Sequence, residues 1–127
     1  MMVGAPILLS LLEGCVSIKV FSSSIENNII KVPLSSVSPE EKLKIIRPDN
    51  LDYDILLSRL PDNSFQAMLM KCTHLENPLV ADSKGIVCSL HGSTFNLNGE
   101  VTYGPALRNL KMYTVKNDNQ YIYIYLT

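Results

Sequence analysis

Cys72-Thr73-His74, followed thirteen residues later by Cys88-Ser89-Leu90-His91, is the feature that most narrows what this chain can become. The chain has three cysteines and two histidines, and each histidine stands within three residues of a cysteine. Thiolate sulfur and imidazole nitrogen together suit an iron–sulfur centre or a zinc ion, and two such pairs supply the four bonds that either requires. A fold that uses them must bring two loops to one point. In a zinc finger the cysteines and the histidines come as separate couples on a hairpin and a helix, whereas here each loop carries one of each. The third cysteine, Cys15, stands alone after an apolar stretch, and an odd count cannot be used up by a disulfide framework.

Outside that pattern the chain reads as all-β. Short runs rich in β-branched and other apolar residues cover 29–34, 43–47, 55–60, 65–71, 85–88, 111–115 and 121–126, with the length and composition of strands. Between them stand Arg47-Pro48-Asp49-Asn50, Pro61-Asp62-Asn63, Asn98-Gly99 and Lys116-Asn117-Asp118-Asn119. Proline's fixed φ and the tolerance of Asn and Gly for positive φ favour tight turns there, so hairpins follow, and their spacing suits a small sandwich or barrel. Tyr121, Tyr123 and Tyr125 recur with the period of one strand face and read as sheet packing. One helical turn is expected at Ser38-Pro39-Glu40-Glu41, where a capping serine, a proline at the first helical position and early acids agree.

The length of 127 residues fits one domain, and a hydrophobic share of 46% with a formal net charge of -1 excludes a disordered chain. Scattered basic residues offer no nucleic-acid stripe. Asp49, Asp52 and Asp54 lack the glycine and terminal glutamate of a calcium-binding loop and read as a solvated turn. Neither a nucleophilic triad nor a phosphate-cradling glycine loop is present.

The two ligand pairs, and the order of the residues after them, resemble the Rieske family: the soluble Rieske ferredoxins and the iron–sulfur subunits of cytochrome bc complexes. Cys72-Thr73-His74-Leu75 is similar to the first cluster loop, Cys88 through Phe95 to the second, and Gly99 with Gly104-Pro105-Ala106 to the glycine turn and proline loop beyond them. The resemblance runs from about residue 29 to the C-terminus. It implies a Rieske-type antiparallel β-sandwich or barrel over residues 16–127, with a two-loop cluster-binding subdomain at about 71–107. It further implies one [2Fe-2S] cluster per chain, Cys72 and Cys88 on one iron, His74 and His91 on the other, with the histidine edges facing solvent. Ser93 matches the family serine that donates to a bridging sulfide, and Leu75 and Pro105 are placed to screen the cluster. Asn77 and Leu90 stand where the respiratory subunits carry a disulfide clamp, so that clamp is absent, as in the soluble ferredoxins. Phe95 stands where high-potential members often carry a tyrosine. The segment between His74 and Cys88 is short for the family.

The implied function is one-electron transfer by a small carrier. The alternative is an iron–sulfur subunit of a larger quinol-oxidising or oxygenase complex, although no histidine is left for the mononuclear iron of an oxygenase catalytic domain. The implied partner is a redox protein or a quinol, not nucleic acid. Residues 2–12 are apolar and too short to span a bilayer as a helix. Together with Leu12-Glu13-Gly14-Cys15, which resembles a bacterial lipobox except at Glu13, they are expected to form a signal or lipoprotein segment over 1–15. A lipidated Cys15 would tether the domain at the periplasmic face of a membrane; the alternative location is cytoplasmic.

Overall fold

The computed structural model describes residues 18–127, so the expected leader and Cys15 lie outside the described residues. Eleven strands account for most of the architecture: β1 (Val20–Ser23), β2 (Ile29–Pro33), β3 (Leu43–Pro48), β4 (Ile55–Arg59), β5 (Phe65–Leu69), β6 (Val80–Asp82), β7 (Gly85–Val87), β8 (Thr94–Phe95), β9 (Val101–Tyr103), β10 (Met112–Asn117) and β11 (Tyr121–Tyr125). Seven form one sheet in the order β1-β3-β4-β5-β10-β11-β2, and its outermost strands β1 and β2 lie against each other, so the sheet all but closes into a barrel. The other four, β6 to β9, form a meander. Every neighbour in either sheet is antiparallel except β1, which runs parallel to β3. Among the described residues no helix is long and apolar enough to cross a membrane.

Alternation builds the larger sheet. Along β2 and β11, Ile30, Val32, Ile122 and Ile124 are fully buried, with Ile122 opposite Val32 and Ile124 opposite Ile30. Side chains on a strand point alternately to its two faces. The tyrosine stripe therefore takes the outer face, where Tyr121 lies under the Lys31 ammonium at 4.3 Å and Tyr123 donates its hydroxyl to Asp118 at 2.9 Å. In β4 the run Ile55, Leu56, Leu57, Ser58 is buried on both faces. Ile55 and Leu57 join a core with Phe65, Ala67, Ile30 and Ile122, while Leu56 points the other way, into a second core with Met68 and Met70. The hairpin of β4 and β5 is thus a shared wall.

The helical turn expected at Ser38–Glu41 is a simple hydrogen-bonded turn instead. Glu41 N–H donates to Ser38 O at 3.0 Å, and the Glu41 carboxylate accepts from Ser38 N–H at 2.9 Å. The capping contacts form, but β3 begins at Leu43 and leaves no residues for a helix to propagate. A short 3-10 turn lies just before it, at Leu34–Ser36.

Candidate metal centre

Two loops of the smaller layer carry the four candidate donors. The first leaves β5 and enters β6, and it closes on itself: Cys72 N–H donates to Asn77 O at 2.9 Å and Leu79 N–H to Met70 O at 3.3 Å. The second connects β7 to β8, where Cys88 N–H donates to Ser93 O at 2.8 Å and Gly92 N–H to Cys88 O at 2.9 Å. Gly92 sits at φ 83° with open space where a Cβ would be, so conformation alone asks for glycine there.

In each loop the cysteine points in and the histidine out. Cys72 and Cys88 are each 2% exposed and belong to the second core, with Met70, Leu79, Ile86 and Phe95. His74 and His91 are exposed, their ring centroids 5.5 Å apart and their planes at 76°. Burial pushes the Cys88 thiol up, but the backbone N–H groups of Leu90 and His91, then the Cys72 thiol and the Asn77 amide, outweigh it and hold it below the ordinary thiol range. These donors favour a thiolate, the form that binds metal. No three His, Cys, Asp or Glu side chains among the described residues gather around the position of a single ion. Two sulfurs inside and two imidazoles outside suit a two-iron unit, each iron taking one pair, better than one tetrahedral zinc.

A third segment frames the loops. Ser93 is fully buried, and its Oγ accepts from Ala106 N–H at 3.0 Å, which leaves the hydroxyl proton to be donated elsewhere. Thr73 Oγ1 donates to Arg108 O at 2.6 Å, and the Arg108 guanidinium returns a bond to Thr73 O at 3.3 Å. Gly99, at φ 83°, turns the chain so that its carbonyl accepts from Leu110 N–H; a Cβ there would meet Met112 Sδ at 3.1 Å. Leu75 and Pro105 are both exposed, Leu75 beside His74 in the chain and Pro105 beside the Ala106 that bonds Ser93. Leu90 and Leu107 are exposed as well, at 53% and 90%. Phe95, at 1% exposure, is a core residue.

One site residue escaped sequence reasoning except as a missing cysteine. The Asn77 side-chain amide donates to Cys88 Sγ at 3.7 Å. Nothing in the spacing announces a contact between residues eleven apart in sequence; the signal that could have found it is an amide at a loop position that packs against the other loop. Tyr53 is a second such residue, its hydroxyl donating to Glu76 O at 2.9 Å and fastening the first loop to the β3–β4 connection. In that connection Asp54 is paired with Arg47 at 3.0 Å.

Residues 31–114 match the family profile of the Rieske [2Fe-2S] domain. The large oxygenase component of a naphthalene 1,2-dioxygenase system from Ralstonia sp. is 37% identical over 67 residues, 50% of this chain and 15% of that protein. The chain thus spans about 15% of the length of such curated relatives. Among solved structures, naphthalene 1,2-dioxygenase with indole bound aligns at a TM-score of 0.63 and 26% identity, over 79% of this chain and 26% of that one. The ferredoxin of carbazole 1,9a-dioxygenase from Nocardioides aromaticivorans aligns at 0.51 and 24% identity, over 76% of this chain and 94% of that one, a likeness of fold.

Proposed function

Because this chain belongs to the Rieske [2Fe-2S] domain family, we propose that Cys72, His74, Cys88 and His91 hold its cluster, within a subdomain of about residues 71–107, and that a small carrier results. The cofactor is a [2Fe-2S] cluster and the function is one-electron transfer. The observation that supports the residue assignment is the pairing itself, two buried sulfurs facing inward and two imidazole rings 5.5 Å apart facing solvent. When bound, the cluster supplies a one-electron couple, within a range of roughly -150 to +300 mV for Rieske centres.

The chain's own residues set where in that range the couple falls. Neutral imidazoles in place of two thiolates lower the negative charge and raise the potential. The Asn77 amide donates to Cys88 Sγ, and the buried Ser93 hydroxyl keeps a proton that the family resemblance assigns to a bridging sulfide; donors to sulfur raise it further. Phe95 has no hydroxyl to add a third. An intermediate potential follows. The exposed edges of His74 and His91 are the shortest way out for an electron, while Cys72 and Cys88 are shielded by the second core.

Electron paramagnetic resonance of the reduced, purified protein tests this. A rhombic signal from a reduced [2Fe-2S] cluster, lost in Cys88→Ser and in His91→Ala, is the expected result. A colourless protein holding one equivalent of zinc would overturn it. A second reading, a component of a larger oxygenase, draws on the 37% identity to a dioxygenase large component. The two histidines of this chain are both in the proposed site, so the mononuclear iron of such a complex would have to be bound elsewhere. Co-purification of the holoprotein with a separate oxygenase subunit is the observation that would favour it.

A further inference from the structure

Beside the first cluster loop lies an open cleft of about 330 Å³ whose wall includes Cys72 and His74 and whose charged side chains are Lys71, Arg108, Lys111 and Glu76. Three cations and one anion meet there. Among the described residues Glu76 is paired with Lys71 alone, at 3.7 Å, and its own side chain is 77% exposed. Arg108 donates to a backbone carbonyl, and the Lys111 ammonium lies over the Tyr113 ring at 5.4 Å; among the described residues neither has a carboxylate within bonding distance. The cleft therefore carries a local charge of +2 on a chain whose net charge is -1.

We infer that this cleft is the docking surface for a redox partner that presents carboxylates around its own electron-entry point, an inference that rests on the electron-transfer reading above. Three features of the cleft support it. His74, the outlet, is part of its wall, so a partner seated there is next to the donor edge. Its sign is opposite to that of the whole chain, and at physiological ionic strength fields reach only about 8 Å, so an approaching partner responds to the patch and not to the net charge. Lys111 directly precedes β10 and its backbone is held by the seven-stranded sheet, its carbonyl accepting from Leu69 N–H at 2.9 Å. A fixed charge beside an electron outlet steers encounter more than it adds affinity.

Small redox reagents of opposite charge test the patch without the partner. The cluster-loaded protein, reduced, is mixed in a stopped-flow instrument with hexacyanoferrate(III), an anion, or with tris(phenanthroline)cobalt(III), a cation, at low and high ionic strength. The patch predicts that the anion's oxidation rate falls about tenfold with added salt and that the cation's rises. A response governed by the whole molecule's negative charge, -1 for the chain and one unit more with the reduced cluster, has the reverse signs. Lys111→Glu should cut the low-salt rate with the anion severalfold. Lys116→Glu makes the same change in net charge five residues along, roughly 17 Å at ~3.4 Å per residue, and should leave that rate nearly unchanged. Equal effects of the two variants, or an anion rate that rises with salt, overturn the docking surface while a normal cluster signal leaves electron transfer standing. Failure to detect any reversible one-electron couple overturns both.

Discussion

Ser93 has two tasks that one substitution separates. Its oxygen accepts from Ala106 N–H, and its hydroxyl, fully buried, is left with a proton to give to a cluster sulfur under the proposed reading. Ser93→Ala removes both. The Ala106 amide, left buried without a partner, should cost about 1–3 kcal/mol in urea unfolding. A hydrogen bond to a charged sulfur is worth about 1.5–3 kcal/mol and strengthens on reduction, so losing it should lower the midpoint potential by an amount bounded by roughly 60–130 mV at 59 mV per tenfold. A protein destabilised but unchanged in potential would show that the hydroxyl only braces the proline loop. Asn77→Leu asks the same of the longer contact to Cys88 Sγ. Leucine keeps the branched shape, with somewhat greater volume, and loses the donor, so a smaller drop in potential is expected at a half-buried position that has room to adjust. Asn77→Ser, too short to reach, should behave like leucine; a potential equal to the unsubstituted protein's in both would remove Asn77 from the tuning set.

Hairpins show how turn chemistry and sheet register depend on each other. The β10–β11 turn is held by Asp118, whose carboxylate accepts from Tyr121 N–H and Gln120 N–H, each at 2.8 Å, and from the Tyr123 hydroxyl. Those donors, the Tyr121 amide first, hold the Asp118 carboxyl below its usual value. A lowered folded pKa means stability that is present above the unfolded value near 3.9 and lost as pH falls through the folded one. Asp118→Asn should therefore lower stability at neutral pH and flatten its acid dependence below about pH 4, read by far-UV circular dichroism. A parallel shift of the whole acid-unfolding curve would mean that the carboxylate's charge is idle. The same scale separates the strands that sequence reveals from those it hides. The runs of β2, β3, β4, β5, β10 and β11 were legible because burial on one face or two leaves alternation or a continuous apolar stretch. β6, β8 and β9 were not, since two or three residues with Val80 and Tyr103 exposed carry no periodicity and exist only through pairing. β1 was hidden by Ser22 and Ser23, and its parallel partner β3 lies far along the chain. Cys72, His74, Cys88 and His91 stand out in the sequence as candidate ligands because ligand chemistry belongs to the residue; the contacts of Asn77, Tyr53 and Arg108 belong to the folded chain alone.

The described residues form two cores on either side of one hairpin, and that division predicts how stability and cofactor retention are linked. Leu56 and Leu57 are adjacent in β4 and both fully buried or nearly so, at 0% and 1% exposure, yet they point to opposite faces. Leu57 packs with Ile30, Phe65 and Ile122 inside the seven-stranded sheet; Leu56 packs in the core that contains Cys72 and Cys88. Truncating either to alanine leaves a cavity and should cost about 2–5 kcal/mol. The consequences for the cofactor should differ. Leu56→Ala loosens the packing that holds both thiols in place, so cluster loss to a ferrous chelator, followed by bleaching of the visible absorbance, should speed up. Leu57→Ala should unfold at a similarly reduced urea concentration but lose its cluster under native conditions at nearly the original rate, because local opening of the ligand loops does not require the other core to melt. Stripping the cluster from the unsubstituted protein follows the same logic: the strand signal in far-UV circular dichroism should persist, while amide exchange accelerates in residues 72–95. Equal chelation rates for the two leucine variants would mean that the cores open together and that the shared hairpin transmits every disturbance across the wall.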